Sequence, residues 1–177
     1  IRIGIVGLGT VGSGVVRLLV ESADHISRHA GRPIVVQKVV VQDVNKVRGV
    51  QVPGGSLSTD IRHISLDPSI SVVALLMGGL EPARSMMVEL LRNGKDVVTA
   101  NKALLAEHGP ELFALARRQE RSIAFEAAVA GGIPIVAAIG ECLAANRIES
   151  IRGILNGTSN FILTRMEEDG SSYSDAL

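Results

Sequence analysis

Aromatic side chains are almost missing from this chain of 177 residues, which has no Trp, one Tyr (Tyr173) and three Phe. Single-stranded nucleic acids are held on stacked aromatic platforms, so that class of partner is not expected. Charge of one sign is missing too. Eighteen Lys and Arg balance eighteen Asp and Glu, leaving no net field to gather a polyanion or an anionic lipid surface. Cysteine is reduced to Cys142, which rules out an internal disulfide and fits a reducing compartment. Its place in an apolar helical stretch assigns it to the core. No apolar run is long enough to span a membrane, and no charged-then-apolar leader opens the chain. The expectation is a cytoplasmic protein with neither nucleic acid nor membrane as partner, in which Asn156-Gly157-Thr158 is no glycosylation site. The chain opens at Ile1 inside a strand pattern and stops just past Tyr173-Ser174-Asp175-Ala176, which reads as the start of a helix. A piece of a longer protein is therefore expected.

What is present is apolar and periodic. Hydrophobic residues make up 46% of the chain and charged residues 20%, enough to bury a core for one domain and part of another. Ile1, Ile3, Ile5 and Val6 read as a buried strand, and Val11, Val15, Val16, Leu18, Leu19 and Val20 recur at roughly helical period. Between them lies Gly7-Leu8-Gly9-Thr10-Val11-Gly12. In a strand-to-helix turn the three glycines have separate tasks. Gly7 permits the tight turn, Gly9 lets backbone approach a pyrophosphate, and Gly12 allows close packing of helix on strand, while the exposed N–H groups of the helix start face the negative charge. A dinucleotide site is the leading reading of this turn.

Further strands are expected over 34–41, 72–77, 96–100 and 122–126, with helices over 82–92 and 110–119, each opening on Pro. Strands alternating with helices imply right-handed crossovers and a parallel sheet. The fold class is α/β, with a Rossmann-like, doubly wound, mostly parallel sheet. In the 50–70 region Pro53-Gly54-Gly55 is turn chemistry, Ser58-Thr59-Asp60 suits a short helix cap, and Asp67-Pro68 ends that helix.

Ligands of such sheets bind outside the carboxyl ends of the strands, where strand order reverses. After the second strand, Gln42-Asp43 offers an acidic group for the ribose of NAD. Asp43 serves equally well as the cap of its own turn, and Arg32, Lys46 and Arg48 stand close enough in sequence to meet the 2′-phosphate of NADP. After the third strand, Gly78 and Gly79 bring bare backbone to the sheet edge, either under a nicotinamide ribose or as a plain strand exit. After the fourth come Thr99, Asn101 and Lys102. A lysine at this edge can hydrogen-bond a substrate oxygen, and one acting as a base near neutrality needs a pKa well below about 10.4; a solvated loop lysine is the alternative. The glycines and small residues around Glu126 to Pro134 can turn carbonyl oxygens toward a monovalent cation, or simply make a tight junction. Over 151–161 a strand, a polar turn and a helix capped by Thr158 or Ser159 are expected.

Four segments in this order closely resemble homoserine dehydrogenase: Gly7 to Gly12, Thr99-Ala100-Asn101-Lys102, Glu126 to Pro134, and Gly153 to Asn160. The resemblance spans nearly the whole chain, and the last two segments are not general features of dinucleotide folds. It implies reversible hydride transfer between NADP or NAD and the carbon that is an alcohol in L-homoserine and an aldehyde in L-aspartate 4-semialdehyde, in threonine and methionine biosynthesis. It implies that Lys102 lies near the reacting oxygen and the nicotinamide, as a catalytic and cofactor-binding residue, and that Thr10 and Val11 contact the dinucleotide beside the glycines. Glu126, Val129, Gly131 and Ile133 would hold sodium or potassium, largely through main-chain oxygens. Asn156, Gly157 and Thr158 would form the hinge and substrate-facing turn. The same resemblance divides the chain into a nucleotide-binding domain, 1–133, and the first strand and helix of an α+β substrate-binding and dimerisation domain, 134–177, the intact protein being a homodimer or homotetramer. Two departures bear on function. Gln42 stands where many members carry Arg, and the family's substrate-binding acidic residues and second catalytic lysine fall beyond Leu177, so this chain is expected to bind dinucleotide with little turnover. The competing readings are a dinucleotide-responsive binding module without catalysis and another amino-acid dehydrogenase with the same cofactor domain.

Overall fold

The structure, a computed structural model, describes residues 1–52, 56–154 and 156–177. The expected Pro53-Gly54-Gly55 turn and Leu155 of the last motif lie outside the described residues. The chain divides into two compact units, Ile1–Val129 and Ala130–Leu177.

In the first unit every strand pairing is parallel. The strands are β1 (Arg2–Val6), β2 (Val35–Val40), β3 (Leu57–Ser58), β4 (Val72–Leu75), β5 (Asp96–Thr99) and β6 (Ile123–Ala124). Their spatial order is β3-β2-β1-β4-β5-β6, so the direction of winding reverses between β1 and β4. Helices α1 (Thr10–Glu21), α2 (Ala23–Ala30), α3 (Arg62–Ser65), α4 (Ala83–Arg92) and α5 (Lys102–Arg118) make the crossovers. Successive strand residues face opposite ways, and β1 shows the result. Ile3 and Ile5 join Val16 of α1, Val39 and Ala74 in one core, whereas Val6 joins Ile64, Met87, Leu90, Leu104 and Leu112 in the other. Both faces are covered, which is why the strands read as unbroken apolar runs. Gly4 is needed between the two isoleucines, because a Cβ there would lie 2.7 Å from Ile64 Cγ2 of α3.

Several elements differ from expectation. The strands are shorter at their ends, and β3 is an additional one whose two residues are too few to show an alternating pattern. The cap expected from Ser58-Thr59-Asp60 falls instead at Ile61, which has no capping side chain, while Asp60 Oδ1 accepts from Arg62 N at 2.9 Å in the turn just before it. Helix α2 follows α1 within the long first crossover. The largest correction is α5, which starts at Lys102 and carries Pro110 in its interior instead of starting there. Asn101 sets the true start, its side chain accepting from Leu104 N, and a proline inside a helix removes one N–H without ending the helix when tertiary packing holds it. Leu104, Leu112 and Leu115 on both sides of Pro110 are buried. In α4 the first helical residue is Ala83, with Pro82 in the cap position.

The second unit contains α6 (Ile135–Ala137), a wider turn at Ala138–Cys142, α7 (Gly157–Glu168) and α8 (Tyr173–Ala176). The final helix is present as expected, capped by Ser172. The strand expected before Asn156 is not formed among the described residues, since it has no neighbour to pair with. Cys142 is exposed, not in a core, because in this unit only Ile162 and Ala176 are buried among the described residues. The cap of α7 is Asn156, which accepts from Ser159 N at 2.9 Å, and not Thr158 or Ser159.

Lys95 is the one charged side chain that is buried among the described residues of the first unit, 4% exposed. Its Nζ donates to the carbonyls of Asp67 (2.5 Å) and Ile70 (2.7 Å), closing the α3–β4 connection onto β5, and burial pushes its pKa down. Lys95→Ala leaves those carbonyls without their donor and is expected to destabilise the first unit by about 1–3 kcal/mol, read from the urea midpoint. Carboxylates set the acid limit. Hydrogen bonds from Arg62 hold Asp60 at about 2, Ser69 holds Asp67 down, Ser85 holds Glu81 down and Arg84 holds Glu111 down. A carboxylate whose pKa is depressed on folding stabilises the native state above its unfolded value and loses that contribution as the pH falls through the folded value. The urea midpoint is therefore expected to drop between about pH 5 and about pH 2, and Asp60→Asn together with Glu111→Gln should flatten the decline.

Candidate nucleotide cleft

The turn after β1 exists because three backbones crowd it. Gly7 has φ +94°, and a Cβ on it would lie 2.9 Å from Met77 N; its own N–H donates to Val40 O at 2.9 Å. A Cβ on Gly12 would collide with the Gly7 carbonyl oxygen. Gly9 is different, since a Cβ there would meet nothing within 4 Å. It occupies the cap position of α1, where no side chain caps the helix and no acidic residue stands in the first turn. Uncapped N–H groups and the positive end of the helix dipole are the physical requirements for an anion at this place. Thr10 and Val11, both exposed, are the first residues of that turn.

A cleft of about 610 Å³ runs along the carboxyl ends of β2, β1 and β4. Gln42, Asp43, Lys46 and Arg48 line it after β2, Gly7 and Gly9 after β1, and Met77, Gly78, Glu81 and Pro82 after β4. The cleft thus crosses the reversal point of the sheet. Glu81 and Pro82 were not foreseen, although their place just after β4 is the signal that finds them. A second, open hollow of about 510 Å³ lies around the Asp60–Arg62 ion pair and contains no part of the glycine turn.

At the β2 end the structure forms the turn cap expected of Asp43. Asp43 Oδ1 accepts from Asn45 N at 2.8 Å, forming the turn cap, and a carboxylate still has a second oxygen to offer. Arg48 folds over this loop, donating to the carbonyls of Asp43 (2.6 Å) and Lys46 (2.7 Å). Arg32 does not line the cleft.

At the β5 end the side chains turn inward. Thr99 Oγ1 donates to Leu75 O at 2.9 Å and accepts from Asn101 N at 3.1 Å. Asn101 Nδ2 donates to Met77 O at 3.1 Å and Gly79 O at 2.7 Å. Both side chains are buried and engaged with the protein, so they shape the cleft without offering donors to it. Lys102 is exposed and is the first residue of α5. A cation at a helix N-terminus opposes the dipole by about 0.3–1 kcal/mol, which marks a position kept for something other than helix stability.

The expected cation ligands fall in different settings. Glu126 opens a 3-10 turn ending at Ala128, with Val129 N donating to Glu126 O at 3.1 Å. Gly131, with φ +60°, and exposed Ile133 belong to the second unit. Among the described residues no group of three or more His, Cys, Asp or Glu converges on a metal-sized site. Asn156, Gly157 and Thr158 form the capped start of α7.

Comparison with known proteins converges on one family. The family model described as homoserine dehydrogenase, NAD binding domain, matches residues 7–126, and a second, described as homoserine dehydrogenase, matches 134–177. The chain is 45% identical over its full length to homoserine dehydrogenase of Bacillus subtilis and 46% identical to that of Pseudomonas aeruginosa. It covers 41% and 40% of those two proteins, so it spans about two-fifths of their length. The crystal structure of a homoserine dehydrogenase from Thiobacillus denitrificans superposes with a TM-score of 0.91 at 48% identity, covering all of this chain and 41% of that one. A hyperthermophilic archaeal homoserine dehydrogenase in complex with NADPH gives 0.78 at 26% identity, covering 99% and 58%. The glycine turn, the six-stranded order and these matches agree, and the chain belongs to the homoserine dehydrogenase family.

Proposed function

We propose that the first unit binds NAD or NADP along the cleft and that the chain, 1–133 with the start of a substrate-binding and dimerisation part at 134–177, contributes to the interconversion of L-homoserine and L-aspartate 4-semialdehyde. The observation that carries this reading is the glycine turn itself. Gly7 and Gly12 are enforced by backbone contacts, whereas Gly9 faces open space at an uncapped helix start. The diphosphate is assigned to Gly9, Thr10 and Val11, the adenosine ribose to Gln42 and Asp43, with Lys46 and Arg48 beside a 2′-phosphate, and the nicotinamide end to Gly78 and Gly79.

Nicotinamide, when bound, supplies the acceptor or donor of the hydride. Lys102 is assigned to the reacting oxygen, where a fixed ammonium group stabilises negative charge developing on that atom. Holding this group and the substrate in one geometry removes entropy from the barrier. Asn156, Gly157 and Thr158 are assigned to the substrate-facing turn. The monovalent cation, on main-chain oxygens of Glu126, Val129, Gly131 and Ile133, rests on family resemblance, as does a homodimeric or homotetrameric intact protein.

Calorimetric titration of the chain with NADH and NADPH, followed by a homoserine oxidation assay on the same sample, tests the reading. Binding of at least one dinucleotide with little turnover is expected; absence of binding by both overturns it. With the chain joined to the part of its relatives that it does not cover, Lys102→Ala is expected to lower kcat by about 10²–10⁴-fold and to leave dinucleotide affinity unchanged. An unchanged kcat would remove Lys102 from the reacting centre, and absence of turnover in the joined protein before any substitution would favour a non-catalytic binding module.

A further inference from the structure

We propose that Asn101 is a positioning residue that sets the nicotinamide end of the cleft, one carboxamide tying the Met77–Gly79 backbone to the helix that opens with Lys102. This rests on the dinucleotide reading above.

The carboxamide is 7% exposed at the residue level and has two N–H donors and one carbonyl acceptor. Both donors are engaged, one to Met77 O and one to Gly79 O, and the oxygen accepts from Leu104 N at 3.0 Å. No N–H of the side chain is left to donate to a ligand. Its effect must pass through the groups it holds. Those groups are the two sides of the reacting centre. Met77 and Gly78 line the cleft after β4, and Gly79 sits at φ +82°. Consecutive glycines at 78 and 79 have no side chains with which to anchor themselves and populate many backbone states, so the loop depends on an outside tie. On the other side, Lys102 follows Asn101 directly as the first residue of α5.

A plain helix cap does not account for this arrangement. Capping uses only the oxygen, and Ser, Thr or Asp would perform it equally; the two donors aimed at the cleft loop are what Asn alone adds. Thr99 reinforces the same junction, receiving Asn101 N and donating to Leu75 O, so the end of β5 is latched to β4 at successive residues.

The test separates the loop tie from the cap. Asn101→Asp keeps the acceptor for Leu104 N but places an oxygen opposite the Met77 and Gly79 carbonyls, and Asn101→Ser keeps a capping oxygen without reaching the loop. Both variants and the wild-type chain are titrated with NADH, NADPH and ADP, the last lacking the nicotinamide half. Loss of two hydrogen bonds to the loop is expected to weaken NADH or NADPH about tenfold, to lower the enhancement of nicotinamide fluorescence on binding, and to leave ADP affinity unchanged. Equal weakening of all three ligands, or none, overturns the positioning role. A wild-type chain that binds none of the three overturns the dinucleotide reading, and the role of Asn101 with it.

Discussion

Gly7 is where three strands' worth of backbone meet at hydrogen-bond and contact distance. Its N–H reaches Val40 at the end of β2, its α-carbon faces Met77 after β4, and its carbonyl oxygen faces Gly12 of α1. No side chain can be inserted at either glycine without moving one of these backbones. The crowding fixes the angle at which α1 leaves the sheet, and that angle determines that Gly9 and the first N–H groups of the helix open toward the crevice between β1 and β4. The sheet order supplies the crevice; the glycine contact determines what faces it.

The two helices that border this region are treated in opposite ways. Helix α1 begins without a side-chain cap, leaving its first donors to an incoming anion, whereas α5 is closed by Asn101. A helix of twelve residues buried on Val16 and Gly12 tolerates an open end because tertiary packing, not capping, holds most helices in proteins. Helix α5 has a cation at its first position and a proline in its interior, both unfavourable, and the cap and the buried leucines offset them. The difference in capping leaves one helix start with open N–H groups and ties the other to the loop after β4.

How much of this was legible in the sequence depended on range. The glycine turn, the alternation of strands and helices and the polar ends of the strands are local patterns, and they appear where the spacing put them. The roles of Gly7 and Gly12 followed from one motif because both partners of each contact lie at the sheet's centre. Residues whose meaning depends on distant partners were misread. Asn101 looked like a ligand contact beside Lys102, yet its donors go to carbonyls more than twenty residues earlier. Pro110 looked like a helix start because local chemistry favours it there, while the actual start lay at an asparagine whose capping bond is itself only three residues long. Strand β3 was invisible because two residues cannot show a period, and it exists only because Val39 and Val40 pair with it.

The two units differ in how much they bury, and this governs what solution measurements on the chain report. The first unit has two apolar clusters with Ile5, Val16, Val39, Ile64, Leu75 and Leu90 fully enclosed, and burial of each such side chain contributes roughly 1.5–3 kcal/mol. In the second, Ile151, Ile154, Phe161 and Leu163 are each more than half exposed, and α7 packs on α8 with only Ile162 and Ala176 buried among the described residues. Conformational entropy opposes ordering by about 1–2 kcal/mol per residue of backbone, so a segment with so few enclosed side chains has little to set against it. Cooperative unfolding of the chain is consequently a property of Ile1–Val129. The cleft after β2, β1 and β4 lies within that unit, so a ligand that binds it only in the folded form must raise the midpoint of that transition.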